Sequence, residues 1–368
     1  MTTADPTIPG TLFIAAGELE AAARSILTAA GCSPEEAARV ARQLLDANLA
    51  GHDSHGIGLV PTYVRWLQDG LVHAGRHIDV VTDGGTFAVL EGNRGLGQTI
   101  AAEATAFGVE RARRHGTCVV ALRGTGHVGR VGAYAETAIE AGLVSIHLVN
   151  VSNSPIVAPF GAVERRFSTA PFAIGLPLPG RPLVLDFATS LVAAGKVQVA
   201  SYGGKPLPPD SLIGADGRIS GDPHLLYGDY APTDVRSAAN GTGAIRAFGE
   251  HKGSGLALMC ELLGGALTGG APAGPSPQEP GGITNGMLSV YLSPAHLGTQ
   301  AEFERTARDY LDWVLSARPV DPDAPVLAPG DAEARTRAVR LAEGVPVPAD
   351  TWATLRLTAE RVGAPFGG

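Results

Sequence analysis

The chain has 368 residues, 45% of them hydrophobic, which predicts a globular protein with one large domain or two closely packed domains. A net charge of −8 argues against a nucleic-acid or anionic-membrane partner. The N-terminal residues show no signal peptide, we find no membrane segment, and the three cysteines are far apart without a pairing motif, so we expect a reduced, cytoplasmic protein.

The N-terminal part of the chain predicts helices. The segment ELEAAARSILTAAG is followed by a second helical pattern, in which Ser33 is the N-cap, Pro34 takes the first helical position and Glu36 completes a capping box. Gly51 ends this helix, so the segment GHDSHG at 51–56 lies on a connection. The short amphipathic helix TYVRWLQDGL follows it.

The central part of the chain predicts mainly strands. HIDVVTDGGTFAVLEG indicates a hairpin with a Gly-Gly turn, and helix QTIAAEATAFGVERARRHG, strand TCVVALR, helix GAYAETAIEAG and strand LVSIHLVN come next. A strand-and-loop region rich in glycine and proline runs from about 150 to 245. The apolar helix HKGSGLALMCELLGGAL and the helices FERTARDYLDWVLSA and DAEARTRAVRLAEG complete the order. We therefore expect the two helical chain ends to join in one layer around a central sheet.

The segment GTGHVG at 124–129 matches the glycine pattern of a Rossmann dinucleotide site between a strand and a helix. That site also needs an acidic residue at the end of the next strand, but this strand ends in Asn150 and continues without one. His127 would also crowd a pyrophosphate. A tight strand-to-helix turn is one alternative, and a cofactor loop of another kind is the one we prefer.

The segment GHDSHG admits three interpretations. His52, Asp53 and His55 lack the spacing and the third ligand of a catalytic zinc site, so no metal is expected. In a structural alternative, Ser54 caps a helix. In a functional one, His55 is a general acid, because imidazole titrates near neutral pH, and Ser54 orients it. Spacing leaves the last two open.

Seven segments in register resemble one family: GHDSHGI at 51–57, TGHVGR at 125–130, VAPFG at 157–161, STAP at 168–171, LDFATS at 185–190 with AGK at 194–196, FGEHKGSGLAL at 248–258, and PGD at 329–331. They resemble the malate/L-lactate/sulfolactate dehydrogenase family, which is distinct from the Rossmann lactate and malate dehydrogenases, and within it the hydroxycarboxylate dehydrogenase or hydroxyphenylpyruvate reductase branch. The resemblance implies an α/β (α+β) subunit of a homodimer. Residues 1–76 and 290–368 would form a helical domain, and 77–289 an NAD(P)-binding domain with a largely antiparallel, non-Rossmann sheet.

The resemblance also implies roles for single residues. The catalytic positions are those of the proton donor, its relay partner and a lysine near them, namely His55, Ser54 and Lys196. The cofactor contacts are His127, Val128, Gly129, Arg130, Asp186, Phe187, Ala188, Lys252, Gly253, Pro329, Gly330 and Asp331. The substrate positions are Leu59, Thr169 and Gly195. The implied cofactor is NAD or NADP, and the implied substrate is a small 2-oxo or 2-hydroxy acid.

Three positions bear on the substrate. Leu59 stands where many relatives have an arginine that holds a carboxylate, which favours a bulkier or less polar substrate and leaves Arg130 or Arg65 as replacement anchors. Ala170 replaces the asparagine of the family's T-N-P, which removes a donor and an acceptor. Lys196 occupies a position that is acidic in the cyclic-ketimine reductases, and a lysine suits an oxo acid or alkoxide instead.

The sequence therefore predicts an NAD(P)-dependent 2-hydroxy acid dehydrogenase, in which His55 protonates the oxygen of a 2-oxo acid as hydride reaches the carbonyl carbon. A cyclic imine reductase of the same family and a conventional Rossmann enzyme are alternatives. A non-catalytic nucleotide-binding member, suggested by Ala170, is the last alternative.

Overall fold

The computed structural model describes residues 10–203, 205–231, 236–274 and 283–366. Residues 1–9 and 367–368 of the predicted helical domain and residues 204, 232–235 and 275–282 of the predicted sheet domain lie outside the described residues. The helices are α1 (Ala16–Ala29), α2 (Pro34–Leu49), α3 (Val60–Gln68), α4 (Gly97–His115), α5 (Gly132–Glu140), α6 (Ala194–Ser201), α7 (His224–Tyr227), α8 (His251–Cys260), α9 (Gln300–Leu315), α10 (Asp331–Glu343) and α11 (Ala349–Val362). The strands are β1 (Thr11–Ile14), β2 (Asp79–Asp83), β3 (Phe87–Glu91), β4 (Thr117–Thr125), β5 (Val144–Val151), β6 (Val157–Ala158), β7 (Pro171–Leu176), β8 (Leu183–Ala188), β9 (Leu212–Ile213), β10 (Ile219–Ser220), β11 (Ala244–Arg246), β12 (Asn285–Leu292) and β13 (Val345–Pro348).

The two ends of the chain lie together, as expected. Strand β1 pairs with β13 in antiparallel register, a contact that the sequence did not predict. Helices α1, α2, α3 and α11 pack their apolar faces into one core, with Leu19, Leu44, Tyr63 and Leu355 almost completely buried. Burial of these side chains provides most of the stabilisation of this helical layer.

Helix α2 begins where its sequence signals place it. Ser33 Oγ accepts a hydrogen bond from the backbone N–H of Glu36 at 3.2 Å, and Pro34 lies in the first turn. The other half of the predicted capping box is wrong. One oxygen of the Glu36 carboxylate accepts from the backbone N–H of Gly75 at 2.8 Å, and the other has no partner among the residues that the structure describes, so a tertiary contact replaces the local one.

The central sheet has seven described strands in the order β2-β3-β4-β12-β5-β7-β8. The β3–β4 pair is parallel and the other neighbouring pairs are antiparallel, which confirms the largely antiparallel sheet and the predicted hairpin β2–β3. Helices α4 and α5 pack on this sheet. Strand β12 continues through 292, so the predicted domain boundary between 289 and 290 falls inside a strand, and the division into two domains stays a prediction.

The GTGHVG loop is not a Rossmann site. Strand β4 leads into it and α5 and β5 follow it, but β12 lies between β4 and β5 and runs antiparallel to both. A Rossmann unit places the two strands of its βαβ motif side by side and parallel. A second small sheet, β10-β9-β11-β6, lies in the region rich in glycine and proline, with β6 and β11 parallel.

The predicted apolar helix at 251–267 changes its pitch after α8. Glu261–Ala266 forms a π-helical turn, in which the buried Glu261 carboxylate accepts from the backbone N–H and Oγ of Ser168 at 2.9 and 2.6 Å. A Cβ at Gly264 would lie 2.8 Å from the carbonyl oxygen of Leu148 on β5. The wider turn thus satisfies a buried carboxylate and lets the helix approach the sheet closely.

The described helices include none with the length and apolar composition that crossing a membrane requires. Cys32, Cys118 and Cys260 are free and buried. Burial raises the pKa of the Cys32 thiol to about 12 and that of Cys118 to about 11, which keeps both thiols protonated at neutral pH.

Candidate active site

Two short 3₁₀ turns connect α2 to α3: the first, Asp53–His55, lies in the segment GHDSHG, and the second, Ile57–Leu59, follows it. Asn48, near the end of α2, holds this loop from one side: its amide nitrogen donates to Asp53 Oδ1 at 2.6 Å, and its carbonyl oxygen accepts from the backbone N–H of Ile57 at 2.8 Å. A Cβ at Gly56 would lie 2.2 Å from the Asn48 side chain, so glycine is needed there. The end of α2 therefore positions the loop.

Helix α10 holds the same loop from the other side. Arg340 donates to both carboxylate oxygens of Asp53, at 2.6 and 2.9 Å, and His52 Nε2 lies 3.4 Å from Glu333 Oε1. His52 and Asp53 are thus engaged with α10. Among the described residues, no group of three or more His, Cys, Asp or Glu side chains is arranged to hold a metal ion.

His55 and Ser54 contact each other through their side chains, with Ser54 Oγ 3.0 Å from His55 Nδ1. The alternative in which Ser54 caps a helix is wrong, because neither short turn has a side-chain cap. Burial lowers the pKa of His55 to about 4, although the nearby Asp186 carboxylate acts in the opposite direction. His55 is therefore a neutral imidazole at pH 7.

Asp186 and Arg130 place one negative and one positive charge near His55, and both influence its pKa. Asp186, on β8, accepts a hydrogen bond from the backbone N–H of Gly132 at 2.9 Å. Arg130 is buried and pairs with Glu136 at 2.5 Å, so its guanidinium already has a carboxylate partner. The GTGHVG loop and β8 therefore meet at His55.

His127 stacks against His55, with ring centroids 5.5 Å apart and ring planes 19° apart. Its Nδ1 is 2.7 Å from the hydroxyl of Tyr63, which in turn accepts from Gln98 Nε2 at 2.8 Å. The following residue, Val128, donates its backbone N–H to Asn285 Oδ1 at 2.8 Å, and Gly129 has φ +75°. The loop that carries His127 is thus held by α3, α4 and β12.

The candidate substrate residues are only partly assembled around this pair. Gly195 lies against Ser54, because a Cβ at this glycine would be 2.4 Å from Ser54 Cβ. Lys196 is exposed, and its side chain has no hydrogen bond or ion pair to any described residue. The carbonyl oxygen of Thr169 accepts from both the backbone N–H and Oγ1 of Thr189, each at 3.0 Å.

The positions that depart from the family pattern have different surroundings. Leu59 is partly buried against the helical core. Arg65 is exposed and lines a surface depression with Arg361, and no predicted site residue lines that depression. These surroundings give no support to Arg65 as the anchor of the substrate carboxylate, which stays a prediction. Ala170 is completely buried, with φ +36°.

The remaining cofactor candidates lie along β8 and its neighbours. The Phe187 ring on β8 and the Phe248 ring, three residues before α8, are nearly perpendicular, with their centroids 5.3 Å apart. The start of α8 therefore lies close to β8. There Lys252 is exposed, and Gly253 is so close to the chain that a Cβ would lie 2.0 Å from the Phe248 carbonyl oxygen. Ala188, the last residue of β8, pairs with Pro171 of β7.

The PGD segment approaches β8 near its start. The carbonyl oxygen of Pro329 accepts from the backbone N–H of Val184 at 3.4 Å, and Asp331 pairs with Arg181 at 2.8 Å. Gly330 has φ +94°, a conformation that favours glycine. This segment leads directly into α10, which connects β8 to the loop that carries His55.

Sequence reasoning missed Asn48, Tyr63, Gln98 and Arg340. Each fits the pattern of its own helix, so nothing local distinguishes it from a core or surface position. Their partners lie far along the chain: Tyr63 and His127 are 64 positions apart, and Arg340 and Asp53 are 287 apart.

Comparisons with known proteins follow the same lines. Residues 14–356 match the family model described as malate/L-lactate dehydrogenase. Hydroxycarboxylate dehydrogenase B of Escherichia coli K12 is 39% identical over 91% of this chain and 90% of its own length. A solved structure of a candidate malate/lactate dehydrogenase from E. coli is 38% identical, with a TM-score of 0.87 over 96% of both chains.

A more distant solved structure is Δ1-piperideine-2-carboxylate reductase from Pseudomonas syringae pv. tomato, at 30% identity and a TM-score of 0.76 over 95% of this chain and 100% of its own. The family model and the hydroxycarboxylate dehydrogenase relative both match most of the chain. Both are named for dehydrogenases of hydroxy acids. The chain therefore belongs to the malate/L-lactate dehydrogenase family and is an oxidoreductase of 2-hydroxy acids.

Proposed function

We propose that His55 is the proton donor and acceptor in the interconversion of a 2-oxo acid and its 2-hydroxy acid. The observation that carries this proposal is the 3.0 Å contact between Ser54 Oγ and His55 Nδ1, in a ring that keeps a partly exposed surface. Because Ser54 occupies Nδ1, Nε2 is the nitrogen left to exchange a proton with the substrate oxygen.

In the oxidative direction, neutral His55 accepts the hydroxyl proton at Nε2. Ser54 Oγ accepts the hydrogen bond of Nδ1–H, which fixes the orientation of the ring and keeps Nε2 free of a proton beforehand. The Asp186 carboxylate stabilises the imidazolium that forms. In the reductive direction, the same imidazolium donates its Nε2 proton to the oxygen.

Dehydrogenases of this family use a nicotinamide cofactor, which accepts or supplies the hydride when it is bound. The start of α8 is the candidate contact for its phosphates, because exposed Lys252 lies at the positive end of the helix dipole. We propose that Lys252 and Gly253 contact the phosphates and that Asp186, Phe187 and Ala188 contact the nicotinamide half. The His127–Arg130 loop and the PGD segment at 329–331 would bound the same cleft, and either NAD or NADP is compatible with these contacts.

The substrate that we propose has a larger and less polar side chain than pyruvate. Leu59 replaces a charged side chain with an apolar one, and Arg130 is already paired with Glu136. Gly195 and Thr169 would contact the same substrate, and Lys196 would lie at its outer edge. A cyclic imine is the second candidate, because the P. syringae neighbour is a reductase of a cyclic imine by name.

The test is to mix the protein with NADH or NADPH and 2-oxo acids from pyruvate to hydroxyphenylpyruvate, and to follow cofactor oxidation. His55→Ala should lower the rate of cofactor oxidation by a factor of about 10²–10⁴. His77→Ala, which removes an exposed histidine outside the site, should keep it. Full activity of His55→Ala would contradict the assignment, and activity with imines alone would favour the second candidate.

We also propose that the enzyme is a homodimer that pairs through α9. None of the 16 residues of α9 is buried, and Tyr310 and Trp313 are 64% and 69% exposed. A helix of this length is marginal without packing, so a second copy is expected to cover its aromatic face. Trp313→Glu should give monomers in sedimentation experiments. Leu357→Glu, at a similarly exposed leucine on α11, should not.

We propose a cytoplasmic location, because Cys32, Cys118 and Cys260 are buried free thiols with no cysteine partner. Free thiols are typical of proteins in a reducing compartment, whereas proteins of oxidising compartments often carry disulfides. Fractionation of the host cell with an antibody against the protein would test the location, and recovery outside the cytoplasm would contradict it.

A further inference from the structure

The hydrogen-bond chain from Gln98 through Tyr63 to His127 is not needed for proton transfer by His55. Tyr63 is 1% exposed and Gln98 is also 1% exposed, so this chain is shielded from solvent. Both side chains come from helices, Tyr63 from α3 and Gln98 from α4. A buried polar chain of this kind needs every proton to have an acceptor.

The chain has a direction. Gln98 Nε2 donates to the Tyr63 oxygen at 2.8 Å, and burial raises the pKa of Tyr63, so the phenol keeps its proton. The described acceptor for that proton is His127 Nδ1, at 2.7 Å. Nδ1 of His127 is then an acceptor, and in a neutral imidazole the proton must be on Nε2.

His127 therefore presents an Nε2–H group that has no hydrogen-bond partner among the described residues. The ring is partly exposed, and it stacks on His55 at 5.5 Å, next to the proposed proton donor. Burial lowers the pKa of His127 to about 3, so this donor stays neutral at the pH at which the enzyme works. A neutral donor here does not compete with His55 as an acid.

Among the described residues, no arginine candidate for the substrate carboxylate is both unpaired and shown beside His55. Leu59 is apolar, one nitrogen of Arg130 pairs with Glu136, and Arg65 is exposed and lines a depression that contains no predicted site residue. We propose that Tyr63 and Gln98 are positioning residues that hold His127 in its Nε2–H tautomer, and that this N–H binds an oxygen of the substrate carboxylate. This inference rests on the proposed function of His55.

The first experiment reads the tautomer directly and needs no turnover. In the ¹⁵N-histidine-labelled protein, a long-range ¹H–¹⁵N spectrum should show His127 protonated at Nε2 and bare at Nδ1. Tyr63→Phe should give a mixture of tautomers, and Gln98→Leu a smaller change. Tyr134→Phe is the matched control, because it removes a buried hydroxyl that donates to the Val128 carbonyl oxygen, not to His127.

The second experiment separates binding from chemistry. Tyr63→Phe should raise KM for the oxo acid about tenfold, the equivalent of about 1.4 kcal/mol for one lost hydrogen bond, and leave kcat and the cofactor KM within about twofold. Gln98→Leu, which keeps the Tyr63 hydroxyl, should raise KM for the oxo acid by a smaller factor. With an oxo ester, which has no carboxylate, the wild type and both variants should have the same KM.

Three outcomes decide between the proposals. A wild-type spectrum with His127 protonated at Nδ1, or an unchanged tautomer and KM in Tyr63→Phe, would overturn the inference while His55 retains its role. Full activity of His55→Ala would overturn the proposed role of His55 and with it the carboxylate contact, but not the tautomer of His127, which the spectrum reads without turnover. An equal rise of KM in the Tyr134→Phe control would show that a general loosening of the loop, not the tautomer, causes the effect.

Discussion

His55 has a depressed pKa, and at the scale of a single residue this property determines how each direction of the reaction depends on pH. Reduction of an oxo acid by NADH or NADPH consumes one proton, so the ratio of the two directions must change tenfold per pH unit. A group with a pKa of about 4 is neutral throughout the neutral range. The rate of the reductive direction, which needs the imidazolium of His55, should therefore carry the pH dependence.

We expect kcat/KM for oxo-acid reduction to fall about tenfold per pH unit from pH 6 to pH 8, because the protonated fraction of His55 falls by that factor. Over the same range, kcat/KM for oxidation of the hydroxy acid should stay level. Initial rates in both directions at saturating cofactor measure this. A level reductive profile with a rising oxidative one would place the pKa of the catalytic group above 8 and exclude His55 with its depressed pKa.

Ala170 provides a second prediction for one residue. It is buried with φ +36°, where a side chain with a Cβ costs about 1 kcal/mol and glycine costs little. Ala170→Gly should therefore change the free energy of unfolding by less than about 0.5 kcal/mol, since relief of strain offsets the entropy of glycine. Ala173→Gly, on β7 nearby, should lose about 1 kcal/mol. Equal losses in urea denaturation would show that the backbone at Ala170 is not strained.

At the scale of elements, α10 links the PGD segment to the loop that carries His55. Its first residue pairs with Arg181, next to β8, and Arg340 near its end holds Asp53 by two hydrogen bonds. Between these contacts, Arg337 pairs with Asp46 of α2 at 2.6 Å. Two arginines on one helix thus hold two consecutive segments: Arg340 pairs with Asp53 in the catalytic loop, and Arg337 pairs with Asp46 in α2, before that loop.

We expect Arg340→Ala to lower kcat about tenfold and to destabilise the fold by about 1 kcal/mol, because the partly exposed Asp53 carboxylate loses its charged partner and the loop loses its fixed geometry. Arg337→Ala is the control. It should cost stability through Asp46 but leave kcat within about twofold. Steady-state rates and chemical denaturation measure both effects, and an equal loss of kcat in the two variants would contradict a specific role of the loop contact.

At the scale of the whole molecule, three largely desolvated histidines, of which His147 is fully buried and His55 and His127 are mostly so, make the fold sensitive to acid. Burial lowers the pKa of His55 to about 4 and those of His127 and His147 to about 3, against 6.5 in the unfolded chain. Between these values the unfolded state binds more protons, so stability is present above pH 6.5 and is lost as the pH falls. Each histidine contributes about 1.4 kcal/mol per pH unit.

The unfolding free energy should therefore fall by up to about 4 kcal/mol per pH unit between pH 6 and pH 5 from these three groups together. His147 has partners in Ser289 and Ser145 at 2.9 and 3.1 Å. His147→Gln should reduce the slope by about one third, whatever it does to the stability at pH 7. Denaturant unfolding at a series of pH values measures the slope, and an unchanged slope in the variant would mean that His147 titrates normally in the fold.

Short-range signals in the chain were enough to specify most elements and the family. Ser33 and Pro34 mark the start of α2, the alternating pattern around a Gly-Gly turn marks the β2–β3 hairpin, and seven short motifs mark the dehydrogenase. Such signals act through the backbone of neighbouring residues, so they persist whatever the rest of the chain does. The absence of an acidic residue after GTGHVG was also enough to argue against a Rossmann site.

Long-range packing settled what these signals left open. Asn150 could not show that β12 inserts between β4 and β5, Glu36 could not show that its partner is Gly75, and Ser54 could not show that it contacts His55 instead of capping a helix. The Gln98–Tyr63–His127 chain joins residues 35 and 64 positions apart. Contacts across such separations form only when the core brings helices and strands together, and a buried polar group then takes whichever partner the packing supplies.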